Sequence, residues 1–149
     1  MLTKKAKYGL KAMVDLAGLP PGRSTFVAEI ADRNGIPKKF LDAILGELRN
    51  AGLLSSKKGK SGGYMLAQHA EGITVGEIIR VLDGPLAPLP CASRSAFSPC
   101  QDCEDIGRCE VRMMMLEVRE AIAGVLDHRT LAEMRDLGGD GMTSFVYQI

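Results

Sequence analysis

The sequence predicts a mainly α-helical chain with one small β-hairpin, and three observations support this fold class. Apolar residues recur at helical spacing in four separate stretches before residue 84. A short segment rich in glycine and lysine lies between two runs of strand-forming residues. A later stretch carries apolar residues at heptad spacing. The chain has 149 residues, of which 46% are hydrophobic, so it can form one domain with a buried core and an added oligomerisation element.

The first three helices are predicted from their apolar spacing and from the residues that end them. The first covers residues 3–17, with apolar positions at Ala6, Leu10, Met13, Val14 and Ala17. A short second helix covers residues 25–33, and Gly35 ends it in a left-handed conformation. The third takes Pro37 as its first residue and ends at residues 51–52. Its predicted inner face consists of Phe40, Leu41, Ile44, Leu45 and Leu48. Two helices joined by such a short turn form a helix-turn-helix.

Two lysines at the start of the third helix indicate a contact with DNA. Lys38 and Lys39 lie in its first turn, where the helix dipole favours acidic side chains. Recognition helices enter the major groove with their N-terminal residues foremost, so Lys38, Lys39 and the nearby Asp42 are candidates for the groove. The alternative is a solvated helix end, because two exposed lysines cost only about tenths of a kcal/mol each there.

The glycine- and lysine-rich segment predicts a β-hairpin wing. Short strands over residues 53–56 and 64–67 flank a basic tip. The candidates at this tip for neutralising phosphates or entering a minor groove are Lys57, Lys58, Lys60 and Ser61. A nucleotide-phosphate loop is a rival interpretation, but the Gly-x-x-x-x-Gly-Lys-Ser/Thr pattern is absent from the sequence and a helix does not follow the glycines directly. A flexible, solvated hairpin is the other alternative.

The charge of the chain is divided between its two halves. Residues 1–69 contain 12 basic and 5 acidic side chains, a net charge of +7, whereas residues 70–149 contain 7 basic and 13 acidic side chains, a net charge of −6. Such asymmetry suggests a front that binds a polyanion and a back with another role. The alternative is two ordinary solvated faces. Between the halves, Thr74 and Glu77 form a capping box that opens a fourth helix, which ends at residues 83–84 before a proline-rich stretch.

Four cysteines lie within nineteen residues, at Cys91, Cys100, Cys103 and Cys109, and the rest of the sequence contains none. Such clustering predicts one local site for an iron-sulfur cluster, because thiolates are the ligands that these clusters use. Zinc is the alternative metal, although structural zinc sites usually come from two close pairs and only Cys100 and Cys103 form one. Thiol or disulfide redox sensing remains open, as do uncoordinated cysteines; a thiol redox enzyme lacks its usual βαβ context.

The beginning of the chain has early positive charge but lacks an apolar stretch of signal-peptide length. The sequence also contains no segment that approaches membrane-spanning length. We therefore expect a cytoplasmic protein that does not contact a membrane. A structural disulfide framework is disfavoured in that reducing compartment, and clustered cysteines there more often hold metal or sense redox state.

A long helix is predicted over residues 104–126 from a seam spaced four and three residues apart: Val111, Met115, Val118, Ile122 and Val125. Three heptads are short for an isolated coiled coil, but a seam of this length suits pairing with a second copy in a homodimer. The alternative is packing against its own domain. A short helix over residues 130–137 follows, and the tail over residues 138–149 is predicted to be mobile.

Three segments in this order make the sequence similar to a known family: residues 36–41 (Ile-Pro-Lys-Lys-Phe-Leu), residues 62–66 (Gly-Gly-Tyr-Met-Leu) and residues 73–79 (Ile-Thr-Val-Gly-Glu-Ile-Ile) followed by cysteines. The chain resembles the Rrf2 family of winged-helix regulators over about residues 1–137, and the stretch from wing to fourth helix is the most specific part. Members of the family regulate iron-sulfur biogenesis, the response to nitric oxide and cysteine metabolism.

The resemblance implies a homodimer that binds a pseudo-palindromic operator in double-stranded DNA, with a long dimerisation helix bordering the cluster loop. Thr3 and Lys4, at the start of the first helix, are further candidates for phosphate contacts. In cluster-binding members three cysteines are ligands, and Cys91, Cys103 and Cys109 match them best. Some members complete the coordination with an acid on the first helix, at a position that corresponds to Lys7 here. A protonated lysine cannot bind iron, so Cys100 is the candidate fourth ligand.

We therefore predict a DNA-binding regulator, not an enzyme, whose affinity for its operator is modulated by a two-iron or four-iron cluster. The predicted division is a winged helix-turn-helix head over residues 1–84 and a proline- and cysteine-rich cluster loop over residues 85–109. A dimerisation helix with a short C-terminal helix follows over residues 104–137, and the mobile tail covers residues 138–149. The alternatives are a cluster-free or thiol-switched regulator that binds a partner protein and, as a third class, a thiol redox enzyme.

Overall fold

The computed structural model describes residues 1–60 and 62–139; the predicted mobility of residues 140–149 lies outside the described residues. Six helices and one two-stranded antiparallel sheet make up the described part of the chain. The helices are α1 (Lys4–Ala17), α2 (Val27–Asn34), α3 (Lys38–Asn50), α4 (Val75–Asp83), α5 (Glu110–Leu126) and α6 (Leu131–Leu137), and the strands are β1 (Leu54–Lys57) and β2 (Gly63–Leu66). Single 3₁₀ turns lie at Ala70–Gly72, Pro90–Ala92 and Ile106–Arg108.

The helix-turn-helix forms as predicted, with changes of one or two residues at the helix ends. α2 begins at Val27, not at residue 25, because the backbone of Thr25 pairs with Tyr64 of β2. Gly35 ends α2 at φ 63° and donates its N–H to the carbonyl of Ala31. Pro37 is the N-cap of α3 and not its first helical residue. The short turn therefore sets α3 directly after α2.

The inner face of α3 is confirmed at four of its five predicted positions and is wrong at Phe40. The buried residues are Leu41, Ile44, Leu45 and Leu48, each with 0% exposure. Phe40 is 40% exposed, and its ring packs edge-on against Tyr8 of α1 with 5.7 Å between centroids. Apolar spacing placed Phe40 on the edge of the buried face, where an aromatic neighbour covers it only in part.

The core of the head is formed by α1, α2, α3 and α4 together with the base of the hairpin, and α6 folds back to join it. Leu131 and Ala132 of α6 are buried in the same cluster as the residues of α1. The link is held by the backbone, since Leu131 N–H donates to the Ile73 carbonyl over 2.8 Å and Val75 N–H donates to the Arg129 carbonyl over 2.9 Å. The predicted starts of α4 and α6 are confirmed, and each is fixed by a capping box, at Thr74 for α4 and at Thr130 for α6.

The long helix α5 differs most from its prediction. It begins at Glu110, six residues later than expected, because residues 100–109 form a loop that ends in the 3₁₀ turn Ile106–Arg108. None of its residues is buried. Val111 and Val125, at the two ends of the predicted seam, are 61% and 59% exposed. Within the described ranges, the helices are all too short or too polar to cross a membrane.

Candidate nucleic-acid interface and metal centre

The N-terminal end of α3 presents its lysines to solvent. Lys38 and Lys39 are exposed, and the first turn of α3 contains no acidic residue. The Lys38 Nζ lies 3.2 Å from Oδ2 of Asp42, one turn later and also exposed. An exposed i,i+4 pair of this kind contributes only about 0.3–0.5 kcal/mol, so Lys38 can exchange the carboxylate for a phosphate at little cost.

The lysines of the wing are also exposed. Lys57 is the last residue of β1, and Lys58 and Lys60 lie in the turn that follows. Within the described residues, none of these three ammonium groups forms an ion pair. Ser61, the fourth candidate of the wing, lies outside the described residues. The described part of the tip is therefore a cationic surface without local neutralisation.

The remaining candidates, Thr3 and Lys4, lie at the start of α1. The Thr3 hydroxyl accepts a hydrogen bond from Ala6 N–H over 3.1 Å and donates to the carboxylate of Asp83. Thr3 N–H also donates to Asp83 over 3.0 Å. In this position Thr3 caps α1 and joins it to the end of α4. Lys4 is exposed beside it.

The loop after α4 brings the four cysteines into one neighbourhood. Cys91 lies in the 3₁₀ turn Pro90–Ala92 and is 3% exposed, whereas Cys100, Cys103 and Cys109 are half-buried. All four are free thiols. Thiol contacts join Cys91 to Cys100, Cys100 to Cys103, and Cys103 to Cys109. The structure thus places every predicted sulfur ligand in a continuous chain of neighbours.

Burial shifts the pKa of two of these thiols, Cys91 and Cys103. Burial raises the pKa of Cys91 above its usual range, and the adjoining Cys100 thiol raises it further. Burial also raises the pKa of Cys103; contact with Cys109 and the charge of Asp102 add to the rise, while a hydrogen bond with Cys100 opposes it. The raised pKa values of Cys91 and Cys103 favour their protonated thiols, and a bound cation is what would favour the thiolates.

The cysteine loop is attached to the first turn of α5. The Cys109 sulfur caps the helix and accepts a hydrogen bond from Arg112 N–H over 3.4 Å. The Arg112 side chain donates from Nε to the Cys91 carbonyl over 2.9 Å. Arg112 therefore connects Cys91 to Cys109 through two hydrogen bonds. The sequence did not predict a role for Arg112, because Arg112 and Cys91 are 21 positions apart and do not form a recognisable sequence motif.

The donor set suits a thiophilic metal group. The sulfurs of Cys100 and Cys103 and a carboxylate oxygen of Asp102 all lie within 4.8 Å of one another. Soft thiolates select iron-sulfur clusters or zinc over hard cations, and the cysteines supply the four thiolates that either group requires. Asp102 was not predicted. Lys7 lies with Leu10, Val14 and Met134 around a separate groove whose lining contains no cysteine.

The chain is similar in sequence to known transcriptional regulators. The Rrf2 family model, described as an iron-dependent transcriptional regulator, matches residues 2–136. A relative from Rhodobacter capsulatus, named as an rrf2-like HTH-type transcriptional regulator, is 43% identical over 141 residues, which cover 93% of this chain and 94% of the relative.

Two solved structures share the fold and a third of the sequence. CymR, the global cysteine regulator of B. subtilis, gives a TM-score of 0.75 with 33% identity, covering 92% of this chain and 97% of CymR. IscR of T. potens gives a TM-score of 0.72 with 32% identity, covering 93% of this chain and 88% of IscR. The predicted fold class, mainly α-helical with a β-hairpin wing, is confirmed.

Proposed function

The chain belongs to the Rrf2 family of transcriptional regulators, and from this premise we propose that it binds operator DNA as a homodimer whose affinity depends on a metal group at the four cysteines. The family and the relatives are regulators of transcription, which confirms the prediction that the chain is not an enzyme. The observation that carries the proposal is the attachment of the cysteine loop to α5, none of whose apolar residues is fully buried within one chain.

The proposed DNA-binding head covers residues 1–84. Its lysines at the start of α3 would enter the major groove, and those of the wing would neutralise backbone phosphates. The net charge of +7 over residues 1–69 favours approach to a polyanion. Two heads related by a twofold axis would read a pseudo-palindromic operator, and the distance between them would set the half-site spacing.

The proposed dimer forms through α5, within the segment 104–137. Leu86 of the proline- and cysteine-rich loop and Val118, Ile122 and Leu126 of α5 line an apolar cavity of about 530 Å³. A second α5 packed against this surface would cover the seam and remove these side chains from water, at about 25 cal/mol per Å² of apolar area. The alternative of packing entirely against its own domain is disfavoured by the absence of buried residues on α5.

The four cysteines of the loop over residues 85–109 would hold the metal group through their thiolates. An iron-sulfur cluster supplies a group whose presence depends on iron, oxidants or nitric oxide; four thiolates suit a two-iron or a four-iron cluster, and zinc is the alternative. Arg112 and the Cys109 cap transmit the arrangement of the loop to α5. A change in the loop would thereby alter the pairing of the two heads. We expect this regulation to take place in the cytoplasm.

The test uses the full chain, purified anaerobically, and a fluorescent duplex selected from a random-sequence pool. Brown protein with visible absorption supports the cluster, whereas colourless protein with stoichiometric zinc favours the alternative. Removing the metal should change the affinity for the duplex measured by fluorescence anisotropy. Equal affinity with and without metal would contradict the proposed modulation, and failure of both forms to bind any duplex would contradict DNA binding.

The contribution of the wing can be tested with one variant in the wing and one control variant outside it. Lys58→Ala should weaken binding and lower the slope of log affinity against log salt by about 0.9 for each head. Arg129→Ala removes the same charge from the exposed turn between α5 and α6 and should leave the slope unchanged. An unaltered isotherm for Lys58→Ala would exclude Lys58 from the contact.

A thiol-switched regulator is the second candidate, favoured by the contact between the Cys100 and Cys103 thiols and by the similarity to a global cysteine regulator. Oxidation by hydrogen peroxide would join the two sulfurs, with two protons and two electrons passing to the peroxide to form water. The expected result is a colourless protein. On oxidation it should lose two titratable thiols, and its affinity for DNA should change at the same time. Such a regulator could also bind a partner protein without a cluster.

A further inference from the structure

The wing and the loop before α2 form one unit. Thr25 N–H donates to the Tyr64 carbonyl over 3.0 Å, and Tyr64 N–H donates back to Thr25 over 2.8 Å. The Ser24 hydroxyl donates to the Gly62 carbonyl over 3.1 Å. Gly63 has φ 113°, and a Cβ there would lie 2.1 Å from the Thr25 carbonyl oxygen, so only glycine permits this approach. The base of the wing is thus held against residues 24–26.

This attachment creates an open cavity of about 590 Å³ between the wing and the start of α2. Arg23 reaches it from the loop, and Lys57 and Lys60 reach it from the wing. All three residues are exposed, and within the described residues their side chains form no ion pair. Arg23 is 34 positions before Lys57 in the chain, and the pairing of Thr25 with Tyr64, together with the Ser24–Gly62 hydrogen bond, brings the two segments together.

The other charged groups of the cavity already have partners. Arg33 donates from Nη2 and Nε to the carboxylate of Asp15, over 2.7 and 3.1 Å. Glu29 accepts a hydrogen bond from the Thr25 hydroxyl, which lowers the pKa of Glu29 and keeps it charged. Three cations without partners therefore face one carboxylate, and the cavity has an excess of positive charge that an anion would neutralise.

We propose that this cavity binds a phosphate group and that Arg23 is its main anchor. The guanidinium fork donates two parallel hydrogen bonds to phosphate oxygens, while the two lysines add point charges. The inference rests on the proposed DNA binding for its occupant, a backbone phosphate beside the wing. A free phosphorylated molecule offers the same chemistry and is the alternative source.

The experiment measures duplex affinity of the full-length protein against salt for Arg23→Ala. Each lost phosphate contact lowers the log–log slope by about 0.9, so a dimer should lose about 1.8. At 0.1 M salt the same relation gives roughly an eightfold weaker affinity for each head. Arg23→Lys keeps the charge and should restore most of the slope. Arg129→Ala, in the exposed turn between α5 and α6, is the control of equal charge, and circular dichroism melting checks that each variant is folded.

Inorganic phosphate, titrated without DNA at constant ionic strength, distinguishes the two sources. A lowered slope for Arg23→Ala, with only millimolar phosphate binding, supports a DNA phosphate. Micromolar phosphate binding that Arg23→Ala abolishes, with the slope unchanged, supports a free phosphorylated ligand. An unchanged slope without Arg23-dependent phosphate binding overturns the inference. If the wild type binds no duplex, the proposed function fails while the phosphate titration still tests the cavity.

Discussion

The head buries its apolar side chains within one chain, whereas α5 leaves its apolar side chains at least partly exposed. The helices α1 to α4 bury leucine, isoleucine and methionine against one another, and α6 closes the same core. The helix α5 is the longest in the described part of the chain, yet it buries no residue. Its seam residue Val111 is 61% exposed, whereas Leu45 of α3 is 0% exposed.

This difference indicates that the two regions depend on different partners for stability. The head acquires its core within one chain, so its fold should survive changes elsewhere. The cysteine loop holds thiols that a metal group would bind, and the apolar residues of α5 are only partly covered within one chain. A region with few buried contacts is the one that ligands and partners can rearrange at low cost.

The largest expected effect is on the metal site. Cys103→Ala removes the thiol that contacts both Cys100 and Cys109, and we expect complete loss of bound metal and of any visible absorption, measured by elemental analysis and spectroscopy. Structural metal binding by thiolates is worth on the order of 10 kcal/mol.

The matched control is Ser95→Ala, which changes an exposed polar residue of the same loop and should retain the metal. Because the head has its own core, its melting temperature should change by only a few degrees in Cys103→Ala. Unfolding of the head together with metal loss would mean that the two regions are not independent.

The next largest effect concerns the seam of α5. Val118→Asp with Ile122→Asp would place four carboxylates at the interface of a dimer, and burying each charge costs several kcal/mol. We expect a monomer by sedimentation equilibrium at micromolar concentration, with α-helical content of the head retained.

Met113→Asp is the control for this pair. Met113 is half exposed and lies on the opposite side of α5 from Val118, since five residues turn a helix by about 140° beyond a full turn. The variant should remain dimeric. A dimer that tolerates both seam substitutions would place the interface on another surface.

Within the head, Leu45→Ala should reduce the free energy of unfolding by about 2–5 kcal/mol, the usual cost of a cavity at a fully buried leucine. Ile44→Val removes one methylene and should cost only about 0.5–1.5 kcal/mol. Urea unfolding followed by circular dichroism measures both values, at one protein concentration because dimer stability depends on it. Equal losses for the two variants would contradict close packing in this core.

The sequence was sufficient to predict those features of the fold that one short segment determines. The capping box of Thr74 and Glu77, the left-handed Gly35 and the buried face of α3 are each specified by residues within a few positions. The clustering of the cysteines likewise predicted that the four sulfurs would be neighbours, because all four lie within a segment of nineteen residues.

The sequence was insufficient where the local structure or the position of a side chain depends on contacts that the apolar spacing does not specify. The start of α5 was predicted six residues early, because a hydrogen bond between Asp105 and Gly107 N–H favours a 3₁₀ turn there. Phe40 matched helical spacing but meets Tyr8 from another helix. Arg112 and Arg23 acquire their positions only through contacts with Cys91 and through the pairing of Thr25 with Tyr64.

The smallest expected effect tests the joint between the head and α5. Arg80 of α4 donates to both carboxylate oxygens of Asp127, over 2.5 and 2.8 Å. Hydrogen bonding from Arg80 lowers the pKa of Asp127, so the pair contributes stability above the ordinary aspartate pKa and loses it as the pH falls through the lowered value. Because both side chains are about one-third exposed, solvent screening limits the contribution to about 1 kcal/mol or less.

Asp127→Asn should therefore be destabilised most near pH 7. The difference from wild type should begin to shrink as the pH falls below the ordinary aspartate pKa of about 4, and it should vanish below the lowered pKa of Asp127. Asp136→Asn removes the same charge from an exposed pair with the adjacent Arg135 and should change the free energy of unfolding by only a few tenths of a kcal/mol. Urea titrations from pH 3 to 8 measure both differences. A loss for Asp127→Asn that does not vary with pH would mean that the joint is held by packing and backbone hydrogen bonds, with no net contribution from the ion pair.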